Sequence, residues 1–265
     1  KDTATAVHVL RNARLLEKMG NAVSFCCEYP IQGEILQDKS FRVNYSKEYR
    51  GSKKRRSAQW MVEQIFGFRM WQRVKKSLSE VHPDVLIYYD PASIFLYWKI
   101  LKLCRKMHIG FAVEVTEWAE SKDYTGIGKL ICWQRDMRKK YLDAKCGNII
   151  AISPLLERHY TGQGANVLRL PPIYQNDDFR TEPALLNEKP VQLVFAGTLA
   201  QKDFLLPMIK AVSEINAEET KIEFIIIGVD KQAVKKFNSL EIGNGIKFLG
   251  RMDHKKVLRY VANAH

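Results

Sequence analysis

Apolar positions along the chain follow two alternating periods. Ala6, Val9, Leu10, Ala13, Leu16 and Met19 recur three and four residues apart, which predicts an amphipathic helix that Gly20 ends. A strand is predicted over 22–27. A basic insertion over 47–56 then leads into a helix over 57–80, where Val62, Phe66, Met70, Val74 and Leu78 step by four as a core-facing ridge. Strands are predicted over 85–89, 111–115, 148–152 and 167–170, with helical pattern over 94–107 and 132–145. Pro171 and Pro172, followed by polar residues to Pro190, read as a linker. Beyond it come strands over 192–196, 223–227 and 246–249 and a final helix over 255–264. Strands separated by helices of this length imply βαβ units and parallel sheets. The expected class is therefore α/β: two doubly wound domains at 1–172 and 191–265, joined over 173–190, with helices on both faces of each sheet. Three strands are few for the second domain, which is expected to be truncated.

The most informative stretch is 191–215, VQLVFAGTLAQKDFLLPMIKAVSEI. Leu193 to Ala196 form an apolar run of the kind a parallel sheet buries on both faces, and the run stops at Gly197. A polar loop carrying Lys202 follows. Asp203 is then a helix cap, and Phe204, Leu205, Met208, Ile209, Val212 and Ile215 keep helical spacing. Pro207 sits near the helix start, where a missing N–H does least harm. This order aims backbone N–H groups and one ammonium at the carboxyl edge of a sheet, where a diphosphate can sit. The alternative is an ordinary strand–turn–helix connection with a solvated lysine.

Charge adds a second feature. The net charge of +13 is uneven: residues 1–150 hold 27 Lys/Arg against 16 Asp/Glu, and residues 151–265 hold 15 against 13. Residues 42–76 alone hold 11 against 2. A patch this local implies an acidic partner. In the predicted helix over 57–80, Trp60 and Trp71 are eleven residues apart and so lie within about 20° on the wheel. Arg56 and Lys75 share their side, and Lys53, Lys54 and Arg55 precede them. That composition fits an interfacial helix on an anionic membrane; the alternative is a solvated basic face with its tryptophans packed on neighbours. The apolar run over 94–103 carries Lys99 and Lys102 and is too short and charged to span a bilayer. The five cysteines make no Cys-x-x-Cys pair and no zinc-ligand spacing with histidine, so neither a metal site nor a disulfide framework is expected and a reducing cytosol fits.

Five stretches in order carry a family resemblance: FAVEVTEW (111–118), NIIAISPLL (148–156), VLRLPPI (167–173), FAGTLAQKD (195–203) and IKFLGRMDHKKV (246–257). The chain resembles retaining, family 4 glycosyltransferases of the GT-B type, which have two Rossmann-like domains, and in particular the bacterial capsule, exopolysaccharide and lipopolysaccharide enzymes. The resemblance implies transfer of a hexose from a UDP- or GDP-sugar to a glycan or lipid-linked acceptor hydroxyl, with retention and with no cofactor or metal. It implies that Lys202 contacts the donor diphosphate, that Gly197 lets the backbone approach, and that the loop carrying Arg251 and Met252 lies against the nucleotide base. Thr198 stands where many relatives carry Arg, and it offers a neutral hydrogen bond in place of a charge. Glu117, at the carboxyl end of a predicted strand, is placed to orient the acceptor hydroxyl or the sugar ring, the alternative being a helix cap or a solvated loop acid beside Trp118, whereas Glu114 reads as structural. The family's first strand with its glycine-rich loop would precede Lys1, and its acidic donor-sugar motif would follow His265. The implied setting is cytoplasmic, peripheral at the inner face of the cell membrane.

Two other classes stay open. A non-catalytic GT-B partner or scaffold fits the loss of charge at Thr198. A nucleic-acid-binding protein fits the sequence pI near 9.5, although the charge is confined to one insertion, no nucleic-acid module is present and no such partner is expected. A GT-B sugar epimerase is a further enzyme alternative.

Overall fold

The computed structural model describes residues 4–27, 42–45, 52–89, 93–118, 125–173, 190–199, 204–232, 234 and 242–265. The chain divides into two units, Lys1–Tyr174 and Gln175–His265.

The first unit runs α1 (Ala4–Lys18), β1 (Ser24–Cys27), β2 (Arg42–Tyr45), α2 (Lys53–Phe66), α3 (Phe68–Val81), β3 (Val85–Tyr89), α4 (Ile94–Lys106), β4 (Gly110–Val115), α5 (Gly126–Met137), β5 (Asn148–Ala151), α6 (Pro154–Thr161) and β6 (Asn166–Arg169). Strands β3 to β6 form a parallel sheet in chain order, and β1 pairs with β2, also in parallel. Phe111, Val113 and Val115 alternate along β4 and bury one face against Leu96, Tyr97, Ile100, Leu101 and Cys104 of α4. Strand β2 carried no clear alternating signal and was not predicted.

The helix expected over 57–80 is two helices, broken at Gly67. This glycine is left-handed at φ 63°, and a Cβ on it would lie 2.8 Å from Cβ of Leu96. The break turns the helical face over. Val74 and Leu78 enter the core as predicted, but Val62 and Phe66 are 49% and 43% exposed while Glu63 is buried. The Glu63 carboxylate accepts the backbone N–H groups of Arg69 (3.0 Å) and Met70 (2.8 Å), satisfying two donors in the first turn of α3. A helix wheel drawn straight through 57–80 therefore fails, and with it the shared face of Trp60 and Trp71. Trp60 is exposed on α2, while Trp71 on α3 packs half-buried against the core with the Lys99 ammonium 5.4 Å from its ring centroid.

The helix expected over 132–145 also ends early. After Met137 the chain widens into a π turn, Arg138–Leu142, and tightens into a 3-10 turn, Asp143–Cys146. This change of pitch buries Arg138 against Asp143, at 2.9 Å from Nε to Oδ1 with both side chains fully inaccessible. The Arg138 guanidinium also lies 5.5 Å from the Tyr88 ring centroid.

The second unit runs β7 (Val191–Ala196), α7 (Leu205–Ile215), β8 (Ile222–Ile227), β9 (Ile246–Gly250) and α8 (His254–Ala262). Its sheet is parallel with β8 central, and Phe224 to Ile227 are all buried, as their unbroken apolar run requires. Leu205, Ile209 and Val212 carry α7 onto the sheet; Met208 and Ile215, though on the predicted spacing, are exposed. Phe204 takes a left-handed conformation just before α7, and Asp203 lies outside the described residues.

At the amino edge of this sheet Asn216 closes the connection from α7. Its buried amide donates to the Ile222 and Asn244 carbonyls (2.7 and 2.8 Å) and accepts from the N–H groups of Lys221 and Ile222 (both 3.0 Å). Asn216→Ala is expected to destabilise by about 3 kcal/mol, because several buried backbone groups lose their partner at once. Urea unfolding should show a lower midpoint at unchanged slope.

Candidate functional site

The carboxyl edge of the second sheet is built from glycines. Ala196, Ile227 and Gly250 share one register row, so Gly250 ends its strand in that row while Gly197 and Gly228 follow the ends of β7 and β8 by one residue. Gly197 N–H donates to the Ile227 carbonyl (3.0 Å) and Gly228 N–H to that of Gly250 (2.7 Å), extending the ladders one step past the strands. Gly228 has φ +91°, and a Cβ there would fall 2.2 Å from the Gly197 carbonyl oxygen. Glycine at these positions supplies space for close backbone approach. The Gly197 N–H that the sequence offered to an anion is already engaged within the sheet.

Above this edge lies a cleft of about 860 Å³, lined by Thr198 and Leu199 after β7, by 228–231 after β8, and by Ile246 and 248–251 of β9 and its loop. The volume is within the roughly 300–1,000 Å³ of small-molecule sites. Its polar lining residues are Thr198, Asp230, Lys231 and Arg251, all exposed. Asp230 Oδ1 accepts the Gln232 N–H at 3.0 Å, which ties the carboxylate to its own turn. Ile246, Phe248 and Val229 supply apolar wall. A cleft with two cations, a hydroxyl donor and apolar flanks at the carboxyl ends of parallel strands suits an anionic ligand carrying a flat apolar moiety.

Of the residues expected to bind a donor, Thr198 and Arg251 line this cleft, Gly197 and Met252 each lie one residue outside the lining, and Lys202 lies outside the described residues. Gly228, Gly250, Asp230 and Lys231 were missed. The signal was present, since FAG, IIIG and FLG each place a glycine after an apolar run, but only the register shows that the three stand side by side.

In the first unit Glu117 is exposed in the loop after β4, and its backbone carbonyl accepts Lys139 Nζ at 2.5 Å. Lys139 is buried in the π turn, so that turn fixes where Glu117 stands. Trp118 packs edge-on to His159, with ring centroids 4.8 Å apart. Glu114 is buried, accepting from Asn12 Nδ2 at 2.8 Å and meeting His8 Nε2 at 2.5 Å, which pins α1 to β4 and agrees with its structural reading. Ser153 caps α6, its side chain accepting the Leu156 N–H. Arg56 and Lys75 are exposed on two separate helices, and Lys53, Lys54 and Arg55 occupy the first turn of α2. Burial pushes the thiols of Cys26 and Cys104 up to about 11 and that of Cys27 to about 12, leaving no ready thiolate among these three at neutral pH.

No family model matches the chain, and no curated protein does. Eighteen solved chains are similar in structure. One is a Listeria monocytogenes protein described as a UDP-N-acetylglucosamine 2-epimerase, with a TM-score of 0.56 at 10% identity, over 98% of this chain and 69% of that one. The fold is GT-B-like. Parallel sheets flanked by helices in each unit are this fold's Rossmann-like elements. Among the described residues no helix is long and apolar enough to cross a membrane.

Proposed function

We propose that this chain is a nucleotide-sugar enzyme that transfers a hexose from a nucleotide diphosphate sugar to an acceptor hydroxyl with retention, in surface-polysaccharide synthesis. The observation that carries the reading is the glycine-edged cleft of the second unit, which presents Thr198, Lys231 and Arg251 together at the carboxyl ends of three parallel strands. As the sugar–oxygen bond breaks, charge accumulates on the departing diphosphate, and preorganised cations and donors oppose it. Thr198 supplies no charge where relatives carry Arg; Lys231 and Arg251 on the same cleft can replace it. Lys202 is the further cation proposed for the diphosphate, Gly197 gives the backbone approach, and the loop of Arg251 and Met252 faces the base. Glu117, held by Lys139, is proposed to orient the acceptor hydroxyl.

A second reading is an epimerase acting on a UDP-sugar, favoured by what the Listeria neighbour is described as. Transfer requires an acceptor and releases the nucleotide diphosphate; epimerisation of the intact donor requires no acceptor.

The test is thermal shift and calorimetry with UDP, GDP and ADP, followed by incubation with the matching nucleotide sugars. One nucleotide is expected to stabilise the protein by about 2.7 kcal/mol at a hundredfold excess over its dissociation constant. Lys202→Ala should lose that shift and slow turnover by about 10²–10³. A folded Lys202→Ala variant with full activity rejects its role, and no shift with any nucleotide rejects the enzyme reading in favour of a scaffold. Nucleotide release only in the presence of an acceptor separates transferase from epimerase.

A further inference from the structure

The break at Gly67 creates a surface feature that the straight-helix reading hid. Because the chain turns sharply there, Phe66 at the end of α2 and Phe68 at the start of α3 stack face to face, with ring centroids 5.4 Å apart and 11° between planes. Phe95, one residue into α4, meets Phe68 edge-on at 6.1 Å. The three rings are 43%, 49% and 45% exposed, so nearly half of each residue is held in water by the packing beneath: Gly67 on Leu96, and Ser93 Oγ donating to the Ile65 carbonyl at 2.8 Å. Clustered phenylalanines fixed in an exposed position mark an interaction surface.

We propose that the Phe66–Phe68–Phe95 cluster is a wedge that seats this protein on an anionic lipid surface. The charge on the helices that carry the cluster selects that occupant. Helices α2 and α3 hold eight Lys/Arg and two Asp/Glu, and one of those two acids, Glu63, is buried and committed to the first turn of α3. The Lys99 ammonium stands 4.5 Å from the Phe95 ring centroid, at the rim of the cluster. An apolar insert bordered by cations is the arrangement that enters a leaflet while its charges meet anionic headgroups. A second copy would bring two such basic surfaces face to face, and like charges oppose it. Phenylalanine offers no polar atom to a partner, whereas protein hot spots favour Trp, Tyr and Arg. The wedge replaces the Trp60–Trp71 face, and it stands or falls independently of the nucleotide-sugar reading.

The experiment is co-sedimentation of the full chain with vesicles of phosphatidylcholine alone or containing phosphatidylglycerol. Binding is expected only to the anionic vesicles and should weaken as salt is raised. Replacing the three residues by serine should weaken binding roughly tenfold or more, whereas replacing them by leucine should preserve it. Phe68→Trp should add tryptophan emission that brominated acyl chains quench, a readout that does not depend on any destabilising change. Absence of binding to anionic vesicles, equal binding by the serine variant, or no added quenching in Phe68→Trp overturns the proposal. So does a dimer in solution, seen by light scattering, that the serine variant abolishes.

Discussion

Asp143→Ala is expected to destabilise the protein by about 3–5 kcal/mol, a large fraction of the total stability of an ordinary domain. The reason is what the substitution leaves behind. Arg138 is wholly inaccessible, with Nε 2.9 Å from one Asp143 oxygen and donating to the other at 3.3 Å. Removing the carboxylate takes a charge partner from a guanidinium buried in a low-dielectric core, a cost that water cannot offset. The double change Arg138→Met/Asp143→Leu should recover most of the loss, because apolar replacement of a whole buried pair is often neutral or better. Urea unfolding of the two variants checks both halves; a single variant as stable as the parent shows that the pair is not the anchor of this turn. The consequence reaches Glu117, since the same π turn carries Lys139, whose ammonium holds the Glu117 carbonyl.

Gly228→Ala is expected to disable the cleft. A methyl group would lie 2.2 Å from the Gly197 carbonyl oxygen, so one strand end must move, and φ +91° adds a backbone penalty of about 1–2 kcal/mol that glycine does not incur. Relieving the clash by overpacking costs about 1–3 kcal/mol more. Because Gly197 immediately precedes Thr198 in the cleft lining, the displacement goes into the site itself. A lower melting temperature together with loss of nucleotide-induced stabilisation is the expected result. Gly20→Ala is the matched control: its φ is +87° and a Cβ there meets nothing within 4 Å, so it should show backbone strain alone and keep nucleotide binding. Retained nucleotide binding in Gly228→Ala removes this edge from the site.

Much of the second unit was legible because its signals are local. The runs Leu193 to Ala196 and Phe224 to Ile227 are apolar without interruption and both form the expected strands, but only Phe224 to Ile227, central in the sheet, is buried throughout; β7 lies at the edge, with Leu193 to Phe195 half-buried and Ala196 exposed. The stripe of α1 and the strand over 111–115 were equally readable, since each depends on neighbours within a turn or a strand, whereas α6, which Ser153 caps, was not predicted. The polar members of the cleft were less so: Asp230 and Lys231 look like any turn after a strand until the β7–β8 register sets them beside Thr198.

By itself, then, the sequence determined the alternation of strands and helices, the parallel α/β class and the placement of a glycine at the end of β7, because backbone sterics and hydrophobic period act over a few residues. The tertiary structure decided the rest. Leu96 from a distant helix leaves room for no side chain at Gly67, so one predicted helix becomes two and three phenylalanines gather in solvent. Asp143 captures Arg138 across a change of helical pitch, and Gly228 packs on the Gly197 carbonyl across two strands. At Gly67 and Gly228 the deciding partner is remote in the chain, and at Arg138 it lies across a change of pitch that helical period does not foresee, so no local pattern records which residue will occupy the space opposite.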